Sequence, residues 1–539
     1  MSKPSQSILF IFILSALSAC SLFQNTSKEG VGAESISINN LKANLYYLAS
    51  PEMEGRETTK RGQKLAAKFL ESEMIKNGLL PAGDNGTYFQ NFMMDVSGVK
   101  ADSTFIEISG KKYGFGPGFL SWPSLTKPFP VTKSDLVFLG YGIKNDSLKI
   151  NDFAGKNLEG KWVVIVSGFP KSVNVAVNRR DASGAFAKRA DLMAQKVAGV
   201  INIPNKATAK SYKTFASFFM GESMTLSNMS KSLEDLKKAP QPTSLPVFTA
   251  GDELTTDLLS QFGLNASEIL EKIETGDAVP SSDKTLSMNA KFTKFIERKE
   301  TQNVVGYLKG SDPVLSKTFV SMGAHYDHLG INPDGQINVG ADDDGSGTTV
   351  VLETIKAFSS DFSAGNKTKR SLLFTFHTGE EKGLWGSNYL ANHGLPIMDS
   401  IKQIIANVNI DMVGRESVDT LDVVGHDRLS TDFYNMVEQV NKDMKLFTYS
   451  YTFNDPNDPA DVYKRSDHYN YAKKGIPIVF FTDGMGENWQ KGTKMDDYHK
   501  PSDTPDKIDY TKMFKVTKLS FELIKRTANL DKAPVVDKK

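Results

Sequence analysis

The stretch that most constrains this chain is Gly379-Glu380-Glu381, which follows the apolar run Ser371-Leu372-Leu373-Phe374-Thr375-Phe376 and precedes Lys382-Gly383-Leu384-Trp385-Gly386-Ser387. An apolar, aromatic-rich run that stops at a glycine and gives way to helix-compatible residues reads as a buried strand feeding a helix. The two acids then stand at the strand's C-terminal edge, where ligands of open α/β sheets gather. Adjacent carboxylates repel each other unless a cation or a proton relieves them. The pattern therefore asks for one acid on a metal and a neighbour free to carry protons. A lone Glu-Glu pair is more often a solvated acidic turn, so the accompanying residues must decide.

From Thr301-Gln302-Asn303-Val304-Val305-Gly306-Tyr307 to about residue 529, strand patterns alternate with helical ones. Strands are expected over 318–322, 372–376, 404–410, 420–424 and 476–481, with helices over 348–358 and 385–391 between them. This predicts an α/β fold, a mixed and largely parallel sheet flanked by helices. Reactive residues fall at the ends of those strands. Gly323-Ala324-His325-Tyr326-Asp327 follows the first, and Gly340-Ala341-Asp342-Asp343-Asp344-Gly345-Ser346-Gly347 opens a helix. Glu380-Glu381 follows the next strand, Asn409-Ile410-Asp411-Met412 closes another, and Tyr498-His499 lies beyond the last. Mixed imidazole and carboxylate ligands suit zinc, and five ligands for two ions require one shared carboxylate.

A chain of 539 residues exceeds what one core usually supports, so two domains, or one with a large insertion, are expected. Between 95 and 292 the texture changes to short β-like runs (135–141, 161–166, 200–203, 245–248) with one helical segment over 185–198. That reads as a small β-rich domain without a cluster that demands catalysis. The lysine-rich tract 231–238 reads as a solvated helix face. Upstream, 63–77 places Ala66, Phe69, Leu70 and Met74 on one helical face before Gly78, and Glu54-Gly55-Arg56 reads as a loop salt bridge. Lys and Arg (64) nearly balance Asp and Glu (63), which gives no general reason to expect nucleic acid as a partner. Residues 8–17 are almost wholly apolar and lead to Cys20, the only cysteine. The leader is a secretory signal too short to span a membrane, and no intramolecular disulfide can form.

Jointly the motifs His325-Tyr326-Asp327, Gly340 to Gly347, Gly379-Glu380-Glu381-Lys382-Gly383-Leu384, Asn409-Ile410-Asp411-Met412 and Tyr498-His499 resemble the secreted di-zinc aminopeptidase family, which also contains glutamate carboxypeptidase-like enzymes. The resemblance covers nearly all of 36–530 and implies a zinc exopeptidase fold with two Zn2+ per chain. By motif position His325 and Asp411 would hold one zinc, Glu381 and His499 the other, and Asp343 would bridge them. Glu380 would move the proton from water to the leaving amine, and Asp327 would accept the other ring N–H of His325. Tyr498 would donate to the developing oxyanion. Ser466-Asp467-His468 would line the pocket. It is no serine triad, which is assembled in space and not from consecutive residues. His328, His377, His393 and His426 receive no role.

Two further resemblances complete the layout. Phe138-Leu139-Gly140-Tyr141-Gly142, Leu158 to Val164, Ala198-Gly199-Val200-Ile201 and Leu245-Pro246-Val247 resemble a protease-associated (PA) domain, placed at 95–292 and inserted into a peptidase domain of 36–94 and 293–530. Leu17-Ser18-Ala19-Cys20 resembles the lipobox of bacterial lipoproteins. It implies a signal peptide over 1–19, lipidation at Cys20, a tether over 20–35, a short tail over 531–539 and a lipid-anchored place in the bacterial cell envelope. The expected function is a zinc-dependent exopeptidase, an aminopeptidase, acting on peptides. Alternatives are a carboxypeptidase of the same family, a single-zinc glutaminyl-peptide cyclase and a non-catalytic receptor-like relative. An aminopeptidase suits the negative surround of Glu380, Glu381, Asp343 and Asp411, whereas a carboxypeptidase needs a cationic clamp, for which Arg415, Lys464 and Arg465 are the nearest candidates.

Overall fold

The computed structural model describes residues 30–538 except 122–125, 147, 174–184, 215–219, 239–244, 333, 416, 456 and 484–496. The leader and Cys20 lie outside the described residues.

Four strands form the centre of the larger sheet, in the order Ser371–His377, Phe319–His325, Ile404–Ile410 and Ile478–Thr482, each parallel to its neighbour. Every residue in them is buried. That is why their sequences read as continuous apolar runs rather than alternations: helices cover both faces of a parallel sheet. Antiparallel strands complete it. Lys294–Leu308 pairs with Ser371–His377 on one side, and Thr420–Val424 pairs with Ile478–Thr482 on the other. The helix Gly347–Ser363 is buried along most of its length and packs on Tyr510–Ala528, where the rings of Phe358 and Phe521 lie 4.4 Å apart. The helix expected over 63–77 spans Arg61–Lys76 and buries Ala66, Leu70 and Met74.

Register delivers the reactive residues to one edge. His325 pairs with His377, and Gly323 pairs with Asn409. Three adjacent strands thus end level, and His325, the Glu380-Glu381 turn and Asp411 leave the sheet side by side.

A second sheet lies within 95–292, in the order Lys111–Gly114, Phe105–Ile108, Thr285–Phe292, Phe129–Phe138, Trp162–Val166, Gly199–Ile203, Val247–Ala250 and Phe119–Ser121. It has a core of its own, in which Phe248 meets Trp162 at 5.0 Å and Phe292 at 5.8 Å between ring centres. One strand of this segment departs from the expected division. Ser223–Leu226 pairs with Phe89–Val99 and becomes the edge of the larger sheet. The Met224 carbonyl accepts the indole N–H of Trp385 at 2.9 Å, and Glu222 pairs with Lys60 at 2.7 Å. This segment is therefore bonded to the start of the helix Trp385–His393 that follows the Glu380-Glu381 turn. A strand of four residues with one solvent-facing edge carries too short a pattern to be assigned to a sheet from sequence.

Candidate metal centre

At the C-terminal edge the carboxylate of Asp343 stands between two imidazoles. Its Oδ1 lies 3.3 Å from His325 Nε2, and its Oδ2 lies 3.2 Å from His499 Nε2. Each ring has a second acid beside the same nitrogen: Asp411 Oδ1 at 3.5 Å from His325, and Glu381 Oε2 at 3.2 Å from His499. Donors bonded at about 2.0–2.1 Å to a tetrahedral zinc lie roughly 3.3–3.4 Å from one another. The observed separations match that edge length, so the five residues fit two ions sharing Asp343. Glu380 reaches the same space, with Oε2 4.0 Å from His325 Nε2.

The loop before the helix Gly347–Ser363 turns its three consecutive aspartates to different tasks. Asp344 accepts the backbone N–H groups of His325 (3.2 Å), Gly347 (2.9 Å) and Met412 (3.2 Å), tying the first and third strand ends together. Asp342 accepts Gly414 N–H at 2.9 Å. The amides of Asp342 and Asp343 both donate to Asp503, and Arg415 also donates to Asp503, at 3.2 Å. Only Asp343 faces the imidazoles. Asp344 has a ligand-type atom near those of His325 and Asp411, but its oxygens are occupied by three amides. Gly347 permits the crowding: a Cβ there would meet Asp344 Oδ1 at 2.4 Å and the Ile410 carbonyl at 2.5 Å.

Asp327 sits differently from the sequence expectation. Its carboxylate stands 3.8 Å from His325 Nδ1, and the nearer acceptor is its own main-chain carbonyl at 3.2 Å. The carboxylate oxygens instead accept the Thr58 hydroxyl at 2.6 Å and the Glu380 amide at 3.3 Å. Asp327 thus holds the Glu380 turn, and its backbone orients the histidine. The cause is Thr58, which arrives from far upstream.

Arg56 is another upstream residue with a role the sequence did not disclose. Glu54 pairs with Arg61 and not with Arg56. Arg56 is 1% exposed and donates to four carbonyls: Tyr326 (2.8 Å), Leu48 (2.7 Å), Val339 (2.7 Å) and Gly340 (2.8 Å). It clamps the loop after His325 to the loop before Asp343.

The electrostatics follow from crowding acids and imidazoles in a buried space. Burial works against ionisation of Asp343, but the imidazoles of His325 and His499 outweigh it and hold its carboxyl well below the usual range. Glu381 is likewise lowered against burial and the Asp343 charge, by His499 and His328. Burial would lower His499, but Glu381 and Asp343 push it up to about 10. Its side chain is 36% exposed, and solvent screens part of that pull. Glu380 differs: burial, with Asp411, Glu381 and Asp467 adding to it, raises its carboxyl well above the usual range.

The remaining candidates divide. The Tyr498 ring stacks on His499 at 3.7 Å, and its hydroxyl accepts from Arg465 at 3.2 Å. Ser466 accepts from Asn409 at 2.9 Å. His468 faces the Tyr463 carbonyl at 2.8 Å and stacks on Phe480, so Ser466, Asp467 and His468 form no relay. His377 lies against the Tyr471 hydroxyl and His426 against Glu438. His393 caps the Tyr389 carbonyl. His328, which the sequence left without a role, is in the site: its Nδ1 lies 2.6 Å from Glu381 Oε1.

Residues 303–524, which include every proposed metal ligand, match the model of Peptidase family M28. A probable leucine aminopeptidase of Arthroderma benhamiae is 33% identical over 209 residues, 38% of this chain and 53% of that protein. One from Arthroderma otae is 28% identical over 273 residues, 44% of this chain and 71% of its own. The chain thus spans about half the length of the first of these relatives. The zinc aminopeptidase of Bacillus subtilis superposes with a TM-score of 0.54 at 18% identity, covering 93% of this chain and 98% of its own. An aminopeptidase from Aneurinibacillus sp. strain AM-1 gives 0.50 at 18% identity, covering 94% and 97%. The segment that carries the metal centre is therefore akin in sequence to Peptidase family M28, and the chain has the fold of these zinc aminopeptidases.

Proposed function

We propose that the protein is a zinc-dependent exopeptidase, an aminopeptidase, with two zinc ions per chain. The observation that carries this reading is the Asp343 carboxylate set between His325 and His499 at 3.3 and 3.2 Å, with Asp411 and Glu381 completing two donor groups. His325 and Asp411 would hold one ion, Glu381 and His499 the other, and Asp343 both. When bound, the ions supply Lewis acidity to a water and to the scissile carbonyl. Glu380, whose Oε2 reaches the space beside His325, would take the proton of the attacking water and give it to the leaving amine. Asp327 and Thr58 hold the Glu380 turn for that transfer. The Tyr498 hydroxyl, fixed by Arg465 and the His499 ring, donates to the developing oxyanion.

Preference for a free amino terminus is supported by the state of the three cationic candidates for a carboxylate clamp. Arg415 is engaged by Asp497 and Asp503, Lys464 pairs with Asp461 at 2.9 Å, and Arg465 donates to Tyr498. The deciding experiment offers a small peptide free, N-acetylated and C-amidated, with zinc content measured on the same sample. N-acetylation is expected to abolish turnover and amidation to leave it nearly unchanged, with zinc near two per chain. Survival of the acetylated peptide with loss on amidation overturns the aminopeptidase reading in favour of a carboxypeptidase. Zinc near one per chain overturns the two-ion reading in favour of a cyclase.

The β-rich sheet within 95–292 is read as a protease-associated domain, and Cys20 as the site of lipidation that holds the enzyme in the bacterial cell envelope. Cys20→Ala is expected to release the protein from membranes with zinc content unchanged. A variant still membrane-bound after a high-salt wash would refute the anchor.

A further inference from the structure

We propose that His328 is a positioning residue of the Glu381–His499 side of the centre: its Nδ1–H donates to Glu381 Oε1 and leaves Oε2 alone to face His499. This rests on the reading that Glu381 and His499 bind one of the zinc ions.

The contact itself separates a hydrogen bond from shared ligation. Ligand-type atoms of His328, Asp343 and Glu381 lie within 4.8 Å of one another, which admits His328 as a third ligand. Yet His328 Nδ1 stands 2.6 Å from Glu381 Oε1, whereas the other imidazole–carboxylate pairs at the two donor groups are 3.2–3.5 Å apart. Even two bonds of about 2.0–2.1 Å meeting at a right angle would hold their donors about 2.9 Å apart. A nitrogen and an oxygen at 2.6 Å are bonded to each other through a proton. Toward Asp343 Oδ2 the same nitrogen is 3.9 Å away, so the ring addresses Glu381 and not the bridge.

The surroundings keep the ring there. His328 is fully buried. Its amide donates to the Arg56 carbonyl at 3.2 Å, and its strand position pairs with Glu57. Gly340, at φ +56°, presses on the ring; a Cβ there would lie 2.5 Å from His328 Cδ2. The His499 ring stands 6.0 Å off at 70°. Donation from Nδ1 leaves Nε2 as the bare nitrogen, which has no hydrogen-bond partner among the described residues. A carboxylate tied at one oxygen presents a single oxygen to a metal. Freed, it can rotate away from His499 or offer both oxygens, and the donor set loses the single-oxygen presentation that the contact fixes.

The test compares His328→Asn, whose amide nitrogen occupies the place of Nδ1, with His328→Gln, whose amide nitrogen occupies that of Nε2. Zinc affinity of the full chain is measured by competition with a chromophoric chelator, and thermal unfolding is measured on the metal-free proteins. The expected result is a weaker zinc site loosened about 10–100-fold in the glutamine variant and close to wild type in the asparagine variant, the usual effect of losing a ligand's hydrogen-bond partner. Equal retention in both variants overturns the positioning role. Loss in both shows that the imidazole itself is needed, as a ligand would be, and retention in glutamine alone assigns the role to Nε2; each overturns the proposal. If the glutamine variant fails to fold without metal, loss of affinity in the asparagine variant still overturns it. A wild-type chain that binds a single zinc overturns the two-ion reading, and this proposal with it, before any variant is compared.

Discussion

Glu380→Gln is expected to keep both zinc ions and to lower kcat by about a hundred- to ten-thousand-fold, the usual contribution of a general base. The side chains are nearly isosteric, and Glu380 Oε2, at 4.0 Å from His325 Nε2, is outside the 3.2–3.5 Å spacing of the ligand candidates. The amide therefore removes the proton acceptor without disturbing the donor sets. Its amide hydrogen bond to Asp327 belongs to the backbone and survives the change. Kinetics and metal content on one preparation check it. His499→Ala serves as the contrast and should lose zinc, whereas His468→Ala should retain it, because His468 faces the Tyr463 carbonyl. A glutamine variant that loses zinc as His499→Ala does would make Glu380 a ligand, and one with unaltered kcat would remove it from the chemistry.

The largest effect on stability is expected at Arg56. In Arg56→Met the methionine fills part of the volume but leaves four carbonyls, those of Leu48, Tyr326, Val339 and Gly340, without their donor. Each buried acceptor left unpaired costs about 1–3 kcal/mol, and relaxation recovers part of the sum, so a loss on the order of 4 kcal/mol is expected. Denaturant unfolding of the metal-free protein measures it directly. Because the clamp joins the loop after His325 to the loop before Asp343, zinc affinity should fall as well. A loss below about 1 kcal/mol would mean that water replaces the guanidinium, and the clamp would then be dispensable.

Asp503 and Arg415 stand behind the centre in a comparable way. Asp503 accepts the amides of Asp342 and Asp343 and is itself held by Arg415; Asp503 was not legible as part of the site, and Arg415 only as a candidate clamp for a substrate carboxylate. Nor was Thr58 legible, whose hydroxyl bonds Asp327 from 269 positions away in the chain. None lies next to a metal-type residue in a spacing that local chemistry demands. These roles were invisible for that reason and not because their chemistry is unusual. The assignment of the ring N–H of His325 to the Asp327 carboxylate erred similarly: spacing along the chain brought the right residue close but could not say that Thr58 and the Glu380 amide would claim its oxygens.

What the sequence determined by itself was the parallel centre of the sheet and the residues at its ends. Fully buried strands must be continuous apolar runs, so Ser371–His377 and Ile404–Ile410 were legible as strands, and the acids after them as edge residues. What only the tertiary structure decided was which atoms face one another. Strand order and register set His325 level with His377 and, two residues beyond the Gly323–Asn409 pair, level with Asp411. The loop path turned Asp343 toward the imidazoles and its two neighbours toward backbone amides. It also brought His328 against Glu381 and placed Ser223–Leu226, from within 95–292, on the larger sheet. These outcomes depend on packing between segments that are distant in the chain. A local pattern records a residue's burial and periodicity, but not the partner that buries it.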